Sequence, residues 1–138
     1  MANRTLVPFI RFSKGECNDA VTFYQQVLGG ELVVTTFAEH GIDSVEDPSK
    51  VMWSQLSIND AFVLMASDGL GETFTHGTNV SLSMLFDDLE LAQRTFAQLS
   101  EGGEIQVPFG LQSFGQYGDF IDRFGVHWMV FTNDGSED

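Results

Sequence analysis

The sequence predicts an α+β fold built from two βαβββ modules. Three observations lead to this prediction. A segment recurs at an offset of 73 residues, from Thr22 to Thr95; each copy contains an amphipathic helix that ends at a Gly-Gly pair; and short predicted strands surround both helices. A chain of 138 residues has room for a single domain with one core.

The repeat aligns residues 22–32 (TFYQQVLGGEL) with residues 95–105 (TFAQLSEGGEI). The Thr-Phe pair, one Gln, the Gly-Gly pair and the Glu that follows it are identical in the two copies. Self-similarity at a fixed offset indicates that one supersecondary unit has been used twice. Each copy therefore predicts a helix end, a glycine stop and a strand start.

Each predicted helix has a single apolar stripe and must lie against a sheet. In the second helix, Asp87 and Glu90 have the spacing of a capping box. In the first, Gly29 or Gly30 can adopt the left-handed conformation that closes a helix. The stripes consist of Ala20, Phe23, Tyr24, Val27 and Leu28 in the first helix, and of Ala92, Phe96 and Leu99 in the second.

Strands are predicted before and after each helix. Asn59-Asp60 is a hairpin signal between two of them, and residues 122–125 form a turn between the last two. Module one spans 5–66, the linker 67–78 and module two 79–132. The predicted strands are 5–12, 31–37, 50–58, 61–66, 79–86, 104–108, 114–121 and 126–132.

The composition excludes several classes of partner. Six Lys and Arg stand against twenty Asp and Glu, so this acidic protein has a net charge of −14, which repels nucleic acid and anionic membranes. The only cysteine, Cys17, cannot form a disulfide within the chain. No signal segment and no apolar stretch of about eighteen residues is recognisable, so we expect a cytoplasmic protein.

Three stretches resemble the vicinal oxygen chelate superfamily, which contains glyoxalases, ring-cleaving dioxygenases and bleomycin-resistance proteins. They are VPFIRF followed by AVTFYQQVLGGEL, then MWSQLSINDAFVLMASD, and finally FGQYGDFIDRFGVHWMV. The closest resemblance is to the PhnB-like branch. It implies a cupped mixed sheet with helices on its outer face, the glyoxalase/bleomycin-resistance fold, and a homodimer with its interface along the first and fifth strands.

Members that use a metal place a His, Glu or Gln ligand on the first and last strand of each module. Here the resemblance puts Met129 at the last of these positions and Asn79 at the third. The first falls on Val7 or Phe9 and the second on Leu64 or Met65. A thioether is a poor ligand for hard or borderline divalent ions, and at most one weak donor is left. We therefore expect no metal cofactor, although His40, His76 and His127 could regroup into a site.

Strand alternation indicates which side chains face the implied cavity. Arg11 could clamp a carboxylate or phosphate, or pair with a carboxylate at a dimer seam. Trp53 could stack on a planar ligand or fill the cavity, whereas Trp128 belongs to the core. His127 could act as a base or hydrogen-bond donor, or lie at the rim. The candidate ligand-binding residues are Arg11, Trp53, Gln55, Asn79, Ser81, Phe114, His127 and Met129.

A loop containing Phe109 and Phe114 could form a lid over the cavity, or be anchored by these rings. No catalytic residue is assigned. We expect a metal-free protein that binds a small planar or anionic molecule. The alternatives are a metal-dependent lyase, isomerase or dioxygenase, and a regulatory dimer with a filled cup. Relatives have been described as ubiquinone-pathway methyltransferases, but the sequence has no Gly-rich strand-to-helix turn for a nucleotide-like cofactor.

Overall fold

A computed structural model describes residues 4–70 and 73–132. The chain divides into two compact units, Met1–Thr75 and His76–Asp138. Their boundary falls inside the predicted linker 67–78. Each unit contains one helix and one four-stranded mixed sheet, so the α+β class and the duplicated βαβββ order are confirmed. The prediction of a single domain stays a prediction.

The first unit forms a sheet with the strand order β1-β4-β3-β2. The pair β1 and β4 is parallel and the other pairs are antiparallel. A short 3-10 helix, Ala38–His40, follows β2 inside the predicted loop 38–49. The elements are β1 (Phe9–Arg11), α1 (Cys17–Leu28), β2 (Glu31–Thr36), β3 (Val51–Asn59) and β4 (Phe62–Ser67).

The second unit repeats this topology with the strand order β5-β8-β7-β6, and β5 and β8 form its parallel pair. In both sheets the first strand of the module lies at the edge and pairs in parallel with the last strand. The sequence repeat is therefore also a repeat of strand pairing. The elements are β5 (Leu82–Phe86), α2 (Leu89–Leu99), β6 (Glu104–Gln112), β7 (Gly115–Ile121) and β8 (His127–Thr132).

A Gly-Gly pair ends α1, with Gly29 as the C-cap, but α2 ends at Ser100, two residues before its Gly-Gly pair, so the predicted glycine stop of the second helix was wrong. Both pairs let the chain approach the sheet closely. A Cβ on Gly30 would lie 2.5 Å from the carbonyl oxygen of Ser57, and a Cβ on Gly103 would collide with the carbonyl oxygen of Ile121. Ser57 and Ile121 occupy corresponding places, since each pairs with the strand residue that follows the glycines. Gly30 and Gly103 are thus required by backbone contact, and Gly29 by the end of α1.

The N-terminus of α1 is held by a residue far away in the sequence. Glu16 makes no side-chain cap, and the Cys17 N–H instead donates to Oδ1 of Asp68 at 2.9 Å. The other oxygen of Asp68 accepts the N–H of Val51 at 2.8 Å. One buried carboxylate therefore joins the start of α1 to the start of β3.

The N-cap of α2 differs from the prediction by one residue. Asp88, not Asp87, is the cap, and its side chain accepts the Leu91 N–H at 3.2 Å. Asp88 is extended (φ −130°, ψ 113°), as an N-cap residue must be, while helical geometry begins at Leu89. The predicted apolar stripe is confirmed, because Ala92, Phe96 and Leu99 are buried.

Several predicted strand limits were wrong. The first strand is only Phe9–Arg11, and the fifth begins at Leu82, so Asn79 precedes it. The sixth continues to Gln112 and includes Pro108, because the register shifts between Val107 and Gly110 and a proline at such an irregularity removes no ladder hydrogen bond. The predicted loop around Phe109 and Phe114 is therefore largely a β-hairpin.

Alternation in β8 is confirmed. Trp128 and Val130 are buried, at 1% and 0% exposure, while His127, Met129 and Phe131 are half-buried on the opposite face. Trp128 is a core residue, as predicted.

Within the described residues, neither helix has the length and apolar character needed to cross a bilayer.

Candidate ligand-binding site

The second unit contains an open cavity of about 480 Å³. Its floor is the face of β7 and β8 that turns away from the core, and its rim includes the segment before β5. Of the predicted ligand-binding residues, it brings together Ser81, His127 and Met129. Its lining consists of His76, Gly77, Thr78, Ser81, Gln106, Tyr117, Asp119, Phe120, Ile121, Gly125, His127, Trp128 and Met129.

Strand register places the polar groups of β7 beside those of β8. Asp119 is paired with Met129, and Ile121 with His127, so these side chains share one face. Gly118 and Phe120 occupy the other face and are buried. The floor of the cavity is therefore a mixed surface of carboxylate, imidazole and thioether.

The Tyr117 hydroxyl donates a short hydrogen bond to Oδ2 of Asp119, two residues along the same strand. Burial, together with this hydrogen bond and the negative charge of Asp119, raises the pKa of the Tyr117 phenol to about 12. The phenol is therefore neutral at physiological pH. Its ring packs against Phe131 at 4.8 Å between centroids and against Phe114 at 5.7 Å.

Two of the three histidines lie at this cavity. His127 belongs to the strand β8, and His76 lies over Gly125 so closely that a Cβ there would be 2.7 Å from its Cε1. Gly125 has a φ of 90°, which a glycine adopts without strain. His40 is in the first unit, where its Nε2 is 3.1 Å from Oγ1 of Thr35.

Met129 contacts a serine across the parallel strand pair. Ser83 is its register partner, and the Ser83 hydroxyl donates to the Met129 sulfur at 3.7 Å. The first unit has the same arrangement of strands, with Phe9 paired with Met65. Thioethers therefore occupy corresponding places on the last strands of both modules. Among the described residues, no group of three or more His, Cys, Asp or Glu side chains could hold a metal ion.

Three predicted residues lie in the first unit. The Arg11 guanidinium is 5.7 Å from the ring centroid of Phe9 and 6.0 Å from that of Phe74. Trp53 and Gln55 are half-buried neighbours on one face of β3, and Gln55 donates to Oγ of Ser57 at 3.0 Å. The described parts of the chain show no ion pair to Arg11, and aromatic faces are the partners that its guanidinium has there.

The remaining two predicted residues are outside the cavity lining. Asn79 is in the exposed segment before β5, and Phe114 is 61% exposed at the β6–β7 turn, where its ring meets Tyr117 edge to face. Phe114 thus supports a residue that lines the cavity. The sequence reasoning missed Tyr117, Asp119 and Gln106. Alternation along β7 would have found the first two, because buried Gly118 and Phe120 define the opposite face.

Cys17 has no exposed, activated thiol. It is fully buried at the start of α1, with its sulfur 3.7 Å from Oγ of Ser54. Burial raises the pKa of the thiol to about 12; the hydrogen bond with Ser54 opposes this shift and the Asp68 carboxylate adds to it. A neutral buried thiol is a poor nucleophile, so this residue is structural.

A family model described as 3-demethylubiquinone-9 3-methyltransferase matches residues 4–131. The chain belongs to this family. The family is the PhnB-like branch of the vicinal oxygen chelate superfamily, so the resemblance stated above is confirmed. The Gly-Gly pairs and the Asp122–Trp128 segment, which carried that resemblance, are structural features of the two units.

Relatives of this PhnB-like chain include proteins from several bacteria. Protein YjdN of Escherichia coli (strain K12) is 29% identical, and the match covers 91% of this chain and 92% of the length of YjdN. The crystal structure of protein PA1353 from Pseudomonas aeruginosa is 31% identical, covers 97% of this chain and 100% of its own, and has a TM-score of 0.79. The putative 3-demethylubiquinone-9 3-methyltransferase PhnB of Bacillus cereus is 22% identical, covers 94% and 99%, has a TM-score of 0.76, and shows the same fold.

Proposed function

We propose that this PhnB-like protein binds a small planar or anionic molecule and does so without a metal. The observation that supports this most directly is the cavity of the second unit. Its volume of about 480 Å³ lies within the range of roughly 300–1,000 Å³ that small-molecule sites occupy. Its lining combines apolar surface with a few polar groups, including His127, Gln106 and the Tyr117–Asp119 pair.

A planar ligand is proposed for this cavity because an aromatic ring forms part of its lining. The Tyr117 ring is held by Phe131 and Phe114, so it offers a rigid aromatic surface. Ser81, Gln106 and His127 add hydrogen-bonding groups around it. A flat molecule could stack on the ring while its polar edge meets these groups.

Binding of an anionic group is proposed for the face of the first sheet. Arg11 is exposed beside Phe9 and Phe74 and, in the described residues, has no carboxylate partner. A guanidinium can bind a carboxylate or phosphate through two parallel hydrogen bonds. Trp53 and Gln55 on the neighbouring β3 are the further candidates on this face.

Metal independence is proposed from the chemistry of the strand positions. Phe9 and Met65 pair in the first unit, and Ser83 and Met129 in the second. Phenyl and thioether groups are poor ligands for the divalent ions that oxygen and imidazole sites hold. Binding of the ligand, as proposed here, requires no metal ion.

Homodimerisation is proposed through the edge strands β1 and β5. Phe9 on β1 is 45% exposed and Leu85 on β5 is 81% exposed. Apolar side chains on open sheet edges are commonly covered by another chain. We also propose a cytoplasmic location, with which the buried free thiol of Cys17 is compatible.

Two measurements on purified, untagged protein test the proposed function. Metal analysis is expected to show only traces, and a stoichiometric transition metal would support the metal-dependent lyase, isomerase or dioxygenase instead. A thermal-shift screen with planar aromatics and small acids is expected to find saturable stabilisation, since a ligand stabilises only the state that it binds. Absence of any saturable shift would favour the filled, regulatory dimer.

Matched variants locate the binding. His127→Ala should weaken binding of a planar ligand, whereas His40→Ala, in the first unit, should not. Arg11→Ala should weaken binding of a small acid, whereas Arg94→Ala, on the exposed side of α2, should not. Equal effects of the members of a pair would contradict the assigned sites.

The family's description names methyl transfer, which the sequence does not favour because it has no Gly-rich strand-to-helix turn for a nucleotide-like cofactor. Such a reaction needs a bound methyl donor beside the acceptor. S-adenosylmethionine should therefore be included in the screen. Saturable stabilisation by this compound, followed by methylation of a quinol acceptor, would favour a transferase over a binding protein.

A further inference from the structure

We infer that the cavity of the second unit selects an organic cation, an ammonium group attached to a flat ring, with Asp119 as its counter-ion. This inference rests on the proposed function, because it names the ligand class of the same cavity. It narrows the planar ligand to a positively charged one and leaves the anionic ligand to Arg11 in the first unit.

The charge of the lining supports a cation. Asp119 is the one carboxylate among the described residues that line the cavity, and no Lys or Arg is among them. The chain as a whole has a net charge of −14. A cavity with a carboxylate inside an acidic protein attracts cations and repels anions, because the local and long-range fields have the same sign.

The carboxylate is available to a ligand. Tyr117 donates to Oδ2, and residues 4–70 and 73–132 provide no hydrogen bond to Oδ1 and no ion pair to Asp119. The neutral phenol fixes the orientation of the carboxylate without neutralising it. An ammonium group can then donate to the second oxygen, which is the stronger, charge-assisted type of hydrogen bond.

An aromatic surface lies next to this charge. The Tyr117 ring packs 4.8 Å from Phe131 and 5.7 Å from Phe114, between centroids. A cation over an aromatic face gains electrostatic attraction, and a ring attached to it gains stacking. The carboxylate and the aromatic face together favour an aromatic ammonium ion over a simple alkylamine.

The duplication provides an internal comparison. Gln55 pairs with Met65 in the first unit as Asp119 pairs with Met129 in the second. Two residues before each is an aromatic side chain, Trp53 or Tyr117. At this corresponding position the first unit has a neutral amide, which donates to Ser57. At this position, therefore, only the second unit carries a negative charge.

The test uses three probes with the same ring system, namely 1-naphthylmethylammonium, 1-naphthalenemethanol and 1-naphthoate. Calorimetry on the full-length protein measures the affinity for each. In the unmodified protein we expect the ammonium ion to bind at least tenfold more tightly than the alcohol. Naphthoate is compared in Arg11→Gln, which lacks the proposed anion site of the first unit. There we expect it to bind more weakly than the other two probes.

Asp119→Asn should reduce the preference for the ammonium ion to near unity while the affinity for the alcohol changes little. The amide oxygen still accepts the Tyr117 hydrogen bond, so this variant should fold. Asp87→Asn removes the same charge from an exposed position outside the cavity and serves as the control. It should retain the preference.

The outcomes separate this inference from the proposed function. Equal affinity for the ammonium ion and the alcohol, or a preference that survives Asp119→Asn, overturns the inference while small-molecule binding stands. If none of the three probes shows saturable binding, the inference fails, and the proposed function fails with it only if the thermal-shift screen also finds no ligand.

Discussion

The carboxylate of Asp122 accepts the indole N–H of Trp128 at 2.8 Å, inside the core of the second unit. Its other oxygen accepts the backbone N–H groups of Phe124 and Val126, at 2.8 and 3.1 Å. The Asp-x-Phe-Gly-x-x-Trp element is thus one hydrogen-bonded structure, in which the same side chain shapes the turn and satisfies the buried indole.

Asp122→Asn should destabilise the protein by about 1.5–3 kcal/mol, the usual effect of losing a hydrogen bond to a charged group. In the corresponding turn of the first unit, Asn59 accepts the Ala61 N–H at 2.8 Å, so an amide oxygen is sufficient to shape the turn. The loss should therefore come from Trp128. Urea unfolding measures it, and Trp128→Phe combined with Asp122→Asn should cost less than the sum of the single changes.

Asp68→Asn should also destabilise the protein, because one oxygen becomes an N–H donor facing the backbone N–H of Cys17 or Val51. The expected change in unfolding free energy is about 1.5–3 kcal/mol. Asp60→Asn, at the exposed β3–β4 turn, is the charge-matched control and should be nearly neutral. Similar effects of both changes would show that net charge, not the bridge between α1 and β3, is responsible.

Gly118→Ala should disturb the packing of α2 on its sheet. A Cβ there would lie 2.7 Å from the Phe96 ring and 2.7 Å from the Phe109 Cα. We expect a loss of about 1–3 kcal/mol, since the backbone of β6 cannot yield as a flexible side chain would. Gly110→Ala, where nothing lies within 4 Å of the added carbon, is the matched control in the same pair of strands. Thermal unfolding compares the two variants.

The Cys17 thiol should resist modification in the folded protein. Its pKa is raised by burial to about 12, so at pH 8 its thiolate fraction is about a thousandfold below that of an ordinary thiol with a pKa of 9.0. Reaction with a disulfide reagent should be slow under native conditions and fast in urea. Rapid native labelling at pH 8 would contradict the burial of this residue.

The Tyr117 phenol should contribute a pH-dependent stability. Its pKa is raised from 10.0 to about 12, chiefly by burial, so the folded state holds the proton more tightly than the unfolded state does. This contribution is complete below pH 10 and is lost as the pH rises towards 12. The difference in unfolding free energy between the protein and Tyr117→Phe should therefore shrink between pH 10 and pH 12. A constant difference would argue against the raised pKa.

Local sequence patterns were sufficient for the elements and their order. The stripe around Ala92, Phe96 and Leu99 and the Gly-Gly stop of α1 depend on residues a few positions apart, and the structure has both helices where these patterns predict them. Strand ends were predicted less accurately. For example, β6 continues past Pro108 because the pairing with β7 is irregular there, and this irregularity depends on a partner strand that no local pattern describes.

The candidate site required the tertiary structure. That β7 alternates could be read from the sequence, and with it the shared face of Tyr117 and Asp119. The sequence could not show that Asp119 is the one carboxylate in the described lining. The register of β7 against β8 and the course of the segment before β5 decide which side chains reach the cavity.

The sequence alone thus determined the α+β class, the duplication and the presence of one amphipathic helix in each module, since these follow from periodicity and from residues close along the chain. The tertiary structure decided that Asp68 holds a helix terminus 51 residues away, and that His76 and Asp119 lie at one cavity. Such relationships depend on which distant groups packing brings within hydrogen-bonding range, and no local pattern encodes that distance.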